Sequence, residues 1–67
     1  MSETVTYVVP GIHCEHCAMS IREEVSEVDG VDDVAVDLGS KTVAVTGHGL
    51  DDAALRRAIA EAGYEAS

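Results

Sequence analysis

The hydrophobic periodicity of this chain changes at one short segment, Pro10-Gly11-Ile12-His13-Cys14-Glu15-His16-Cys17. Before it, Thr4 to Val9 is β-branched and aromatic, with Val5, Tyr7 and Val9 at alternate positions. That is the spacing of one face of a strand. After it, Ala18, Ile21, Val25 and Val28 recur at steps of three and four, the apolar stripe of an amphipathic helix over Ala18–Val28. Pro10 and Gly11 close the strand and open a loop. Met19 falls off the stripe and is expected near the surface.

The remainder alternates in the same two periods. Asp29-Gly30 ends the first helix, and Val31, Val34, Val36 and Leu38 mark a second strand. Gly39-Ser40-Lys41 reads as a hairpin turn. Thr42 to Thr46 follows as a third strand, with Val43 and Val45 inward. After the Gly47-His48-Gly49 loop, Asp51 is placed to cap a second helix. Its apolar face is Ala54, Leu55, Ala58, Ile59 and Ala62, and Gly63 stops it. Tyr64 to Ser67 then leaves room for a short fourth strand.

The order is therefore β-α-β-β-α-β, an α+β chain of the ferredoxin-like kind. Four antiparallel strands are expected, the last one short, with both helices on one face, since crossovers are right-handed. This topology sorts the loops. The Cys14–Cys17 loop, the Gly39–Lys41 turn and the Gly63-Tyr64 corner fall at one end. Asp29 to Asp33 and Gly47-His48-Gly49 fall at the other.

At 67 residues, and without tryptophan or phenylalanine, residues 1–67 make one small domain with a thin aliphatic core. Thirteen acids against one lysine and three arginines give a net charge of −9. Such a surface repels nucleic acid and anionic membranes. A lysine-poor acidic surface is also what a chain in a salty, halophilic cytoplasm is expected to carry. No apolar run is long enough to span a bilayer, which argues against membrane insertion. The first residues show no basic and apolar leader pattern. Both cysteines sit in one motif, none being left for a disulfide framework. The expectation is a cytoplasmic protein.

Cys14 and Cys17 are three residues apart at a strand-to-helix turn, so they share a face in the first helical turn. Unpaired N–H groups and the positive end of the helix dipole favour the thiolate there. A soft thiolate pair is a ligand for Cu(I) or Zn(II), or else a redox couple. Zinc seeks four ligands in a tetrahedron, whereas monovalent copper accepts two soft thiolates. His13 precedes the helix and is the possible third ligand. His16 lies about 200° round the helix from Cys14 and points away from the pair. His48 is at the far end by topology. Lys41 is either a solvated hairpin residue or a counter-charge for a thiolate-bound metal. The acids Glu23, Glu24, Glu27, Asp29, Asp32 and Asp33 read as a solvated face. No nucleophile–base pair and no phosphate loop is visible, so no enzyme is expected.

The chain resembles the heavy-metal-associated domain, in the form of small copper chaperones and of metal-binding modules of copper-transporting P-type ATPases. The resemblance covers nearly the whole chain. It is carried by Val9-Pro10-Gly11-Ile12-His13-Cys14-Glu15-His16-Cys17, by Gly30 to Leu38, and by Ala58-Ile59-Ala60-Glu61-Ala62-Gly63-Tyr64. It implies Cu(I) on Cys14 and Cys17, passed to a partner such as a copper-transporting P-type ATPase through shared-thiolate intermediates. It implies that Ile12, where the family usually has methionine, packs beneath the loop. It also sets Tyr64 beside the site. A metal-free monomer and a metal-bridged dimer are the expected states. The other readings are a module that sequesters zinc or another thiophilic metal, and a thiol–disulfide redox protein.

Overall fold

The computed structural model describes residues 2–66. Strand β1 (Glu3–Val8) leads to helix α1 (Glu15–Ser26). Strands β2 (Val31–Asp37) and β3 (Thr42–Gly47) form a hairpin, and helix α2 (Asp52–Glu61) follows. The sheet is antiparallel in the order β1-β3-β2. Its register sets Val5 opposite Val45 and Tyr7 opposite Val43. On the other side of β3, Val34 lies opposite Val45 and Val36 opposite Val43. These pairs share one face of the pleat. Ile21, Val25, Leu55, Ala58 and Ile59 from the two helices pack on it, and Val9 and Ile12 close its upper end.

The helical stripes are as the sequence implies. Ala18, Ile21 and Val25 are buried on α1, and Leu55, Ala58 and Ile59 on α2. Met19 is 55% exposed. The Asp51 carboxylate accepts the Ala53 N–H at 3.1 Å, capping α2.

Three features differ from the sequence expectation. The first is the phase of β2. Val31 is three residues before Val34, an odd spacing for two residues on one face. A β-bulge between Val31 and Asp33 absorbs the extra residue, Asp32. Val31 and Val34 both reach the core as a result.

The second is the fourth strand, which does not form among the described residues. Ser67 lies outside them. The sheet has three strands, and the reason is local. Gly63 takes φ +95°. Its N–H donates to the Ala60 carbonyl at 2.9 Å, and the Tyr64 N–H donates to the Ile59 carbonyl at 3.1 Å. These two bonds are the Schellman ending of a helix. The Tyr64 donor is thereby spent on α2 and is not free for a ladder.

The third is the start of α1, at Glu15 rather than Ala18. Cys17 is thus inside the first turn. Cys14 is the extended residue that precedes the helix, with φ −149° and ψ 171°.

The two ends of the fold are as the topology requires. At the far end, the His48 N–H donates to the Gly30 carbonyl at 2.8 Å. Gly30 has φ +91°, and a methyl group there would run into the His48 carbonyl. No bulkier residue fits that crossing. His48 Nδ1 lies 3.0 Å from the carboxylate of bulged Asp32, remote from the cysteines.

Candidate metal centre

The loop before α1 is built by short-range bonds and then tied down by distant ones. The Ile12 N–H donates back to the Val9 carbonyl at 3.2 Å, closing a turn over Pro10-Gly11. Proline presets the first corner of such a turn. Ile12 then drops into the core and is fully buried, which matches the inward role implied by the resemblance. This anchor lifts His13 and Cys14 to the surface, both exposed. The Cys14 carbonyl accepts the Ala18 N–H at 3.1 Å and starts α1.

Both cysteines are free thiols, and their sulfurs are 3.5 Å apart. The Cys14 side chain makes no capping bond, so it is left to face its partner. The Cys17 thiol is lowered from 9.0 to about 7. The first cause is a hydrogen bond from the Tyr64 hydroxyl, followed by the backbone of His13 and the Cys14 thiol. Each favours the charged sulfur. The same contact pushes the Tyr64 phenol up, since a thiolate neighbour disfavours a second negative charge. Tyr64 reaches the site because α2 ends there, and its ring passes close over Gly11. A Cβ on Gly11 would lie 3.3 Å from Tyr64 Cδ1.

Among the described residues, no three of histidine, cysteine, aspartate and glutamate converge on a common point. His13 sits beside the pair in sequence without joining it in a three-ligand cluster. His16 is exposed on α1. The site that the fold assembles is therefore two thiols, the Tyr64 hydroxyl and the loop backbone.

Lys41 has a larger part than a solvated hairpin residue. Its ammonium donates to the Ile12 carbonyl at 2.8 Å, two residues before Cys14. The pairing of residues 29 positions apart has no local signal. The one available hint is topological, since the hairpin turn and the cysteine loop fall at the same end.

No helix among the described residues is long and apolar enough to cross a membrane. The family model of the heavy-metal-associated domain matches residues 6–65. The mercuric transport protein periplasmic component of Pseudomonas aeruginosa is 38% identical over 71 aligned positions, covering 98% of this chain and 75% of that protein. A probable cadmium-transporting ATPase of Listeria monocytogenes is 36% identical over 47 positions, covering 70% of this chain but only 7% of that protein. Among solved structures, the copper chaperone Atx1 from Synechocystis PCC6803 (Cu2 form) is 41% identical with a TM-score of 0.83, covering 94% of this chain and 98% of that one. The family model and these relatives thus cover nearly the full chain, which belongs to the heavy-metal-associated domain family.

Proposed function

We propose that this chain is a carrier of Cu(I), held by the thiolates of Cys14 and Cys17 and handed to a transporter partner. The observation that carries the reading is the free thiol pair at 3.5 Å with no third ligand group converging on it among the described residues. A soft monovalent ion is satisfied by two thiolates, whereas zinc in a structural site is held by four ligands. The lowered Cys17 thiol supplies one ligand that ionises near neutral pH.

The chemistry proposed is ligand exchange, not catalysis. Copper stays monovalent throughout. A partner thiolate adds to the ion, one of the two carrier sulfurs leaves, and a second exchange completes the transfer. Cys14 is the sulfur exposed at the loop, and it is the one assigned to leave last, since Cys17 is packed nearer the core. The partner proposed is a copper-transporting P-type ATPase or its metal-binding domain. The match to a short stretch of a metal-transporting ATPase supports a transporter of that kind. Both cysteines lie in one motif, with none left for a structural disulfide framework, which supports a reducing cytoplasm as the compartment.

A second reading follows from the relative named as a mercuric transport protein. Hg(II) is also soft, and a two-thiolate site is compatible with it. One anaerobic experiment separates these, and binding of Hg(II) without competent binding of Cu(I) would favour the mercury reading. Metal-free reduced protein is titrated with Cu(I), Zn(II) and Hg(II) in competition with chelators of known strength, and Cys14→Ser and Cys17→Ser are run beside it. Cu(I) should bind one per chain and weaken by orders of magnitude in either variant. His48→Ala should leave binding unchanged. Zinc displacing copper at comparable concentration, or loss of binding in His13→Ala, would replace the copper reading with a tetrahedral zinc site. Unchanged affinity in Cys14→Ser would remove the thiolate pair as the site.

A further inference from the structure

The single lysine of the chain sits in a conformation that disfavours it. Lys41 has φ +57° and is the one non-glycine among the described residues with positive φ. A side chain there crowds its own backbone, and glycine or asparagine is the usual occupant. The turn itself does not need a lysine. The Asp37 carboxylate already holds it, accepting the Gly39 N–H at 2.9 Å and the Ser40 N–H at 3.4 Å. Something outside the hairpin accounts for this residue.

Lys41 makes two bonds, both to the segment that leads into the cysteines. Its carbonyl accepts the Val9 N–H at 2.8 Å, carrying the β1–β3 ladder one step past Val8. Its ammonium donates to the Ile12 carbonyl at 2.8 Å in a half-buried position. Val9 and Ile12 are the two ends of the Pro10-Gly11 turn, itself closed by the Ile12 N–H on the Val9 carbonyl. The left-handed backbone turns the Lys41 carbonyl to one end of that turn while its side chain spans to the other. The Ile12 carbonyl is part of the last peptide before His13, and no helix or ladder bond is available to it there. A charged donor is the stronger kind of partner for such a group.

We propose that Lys41 is the positioning residue of the metal loop. It clamps Val9–Ile12 to the β2–β3 hairpin, so that Cys14 leaves the core at a fixed place opposite Cys17. The clamp itself is independent of which metal binds. Its consequence for metal retention rests on the two-thiolate reading above.

Three variants test it: Lys41→Met, which keeps the stem and loses the donor; Lys41→Arg, which keeps a charged donor; and Lys41→Gly, which also relieves the left-handed strain. Amide hydrogen exchange is followed in the metal-free protein at Ile12, with His48 at the far end as the reference. Losing a charged hydrogen bond should speed exchange at Ile12 by about tenfold or more in Lys41→Met and Lys41→Gly, with His48 unchanged. Lys41→Arg should restore most of the protection. Lys41→Gly is decisive, because relief of strain should hold its unfolding midpoint near that of the wild type while the loop still loosens. Cu(I) release to a chelator should quicken in parallel in Lys41→Met. Unchanged exchange at Ile12 in Lys41→Met, or equal acceleration at Ile12 and His48, would overturn the clamp. Failure of the wild type to hold Cu(I) would overturn the function reading and leave the exchange result to decide Lys41 alone.

Discussion

The Tyr7 hydroxyl donates to the Asp52 carboxylate at 2.6 Å, joining the C-terminal end of β1 to the first turn of α2. Arg56 completes the group. Its Nε lies 3.0 Å from the other Asp52 oxygen, and its guanidinium lies 5.1 Å from the centre of the Tyr7 ring. Tyr7 is 2% exposed, and this arrangement satisfies its one polar atom.

Burial and the Asp52 partner push the Tyr7 phenol up from 10.0 to about 12. The folded state therefore holds this proton more tightly than the unfolded state does. The resulting stability is fully present below pH 10 and is lost as pH rises from about 10 towards 12. Tyr7→Phe should lower stability by about 1 kcal/mol near neutral pH, the net worth of one such bond. It should also flatten the loss between pH 10 and 12, because phenylalanine has no phenolic proton to lose. Chemical denaturation at several pH values checks both. An alkaline limb of equal steepness in Tyr7→Phe would rule out Tyr7 as its source.

The contact between Tyr64 and Cys17 gives a second pH signature, of opposite sign. The Cys17 thiol falls from 9.0 to about 7, led by the Tyr64 hydroxyl. A thiolate favoured by the fold adds stability that is complete above pH 9, and that is lost as pH falls through 7. Ultraviolet thiolate absorbance of the metal-free reduced protein should show one thiol titrating near neutral pH. In Tyr64→Phe that titration should move up towards the ordinary thiol range. A Cys17 titration that stays put would mean that the phenol does not support the thiolate.

Ile12 stands at the point where the family pattern has methionine, and it is fully buried. A swap between apolar side chains of similar volume usually costs less than about 1.5 kcal/mol. Ile12→Met should therefore fold, with a small drop in unfolding midpoint and near wild-type Cu(I) affinity. X-ray absorption of the loaded variant should show sulfur from the two cysteines only. A thioether in the copper shell would contradict the inward packing.

Salt should stabilise this fold. Thirteen acidic side chains lie on 67 residues, and no charged side chain among the described residues is buried. Their mutual repulsion is therefore screened by solution ions, with a Debye length of about 3 Å at molar salt. Salting-out of apolar surface adds to the effect at high concentration. The thermal midpoint of the metal-free protein should climb from low to molar potassium chloride. A flat or falling midpoint would leave the acidic surface as ordinary solubility and remove the case for a halophilic origin.

Much of this protein is written locally in its sequence. Alternation places Val5, Tyr7, Val43 and Val45 on one face, and steps of three and four bury Ile21, Val25, Leu55 and Ile59. Asp51 marks the start of α2 by the bond its carboxylate accepts from Ala53, and Gly63 marks the end by the positive φ its backbone allows. The Cys14–Cys17 spacing likewise brings two sulfurs together across a single turn. These features are set by neighbours a few residues away, which is the range over which periodicity and capping act. Tertiary structure decided the rest. The bulge at Asp32 depends on the register with β3. Tyr7 meets Asp52 over 45 positions, and Lys41 meets Ile12 over 29. Tyr64, counted in the sequence towards a strand, gives its N–H to α2 and turns its ring over Gly11. Each of these contacts exists because two distant backbones are held at a fixed separation by the packed core. No pattern within one segment carries that separation, so it comes into being only when the sheet and helices close on each other.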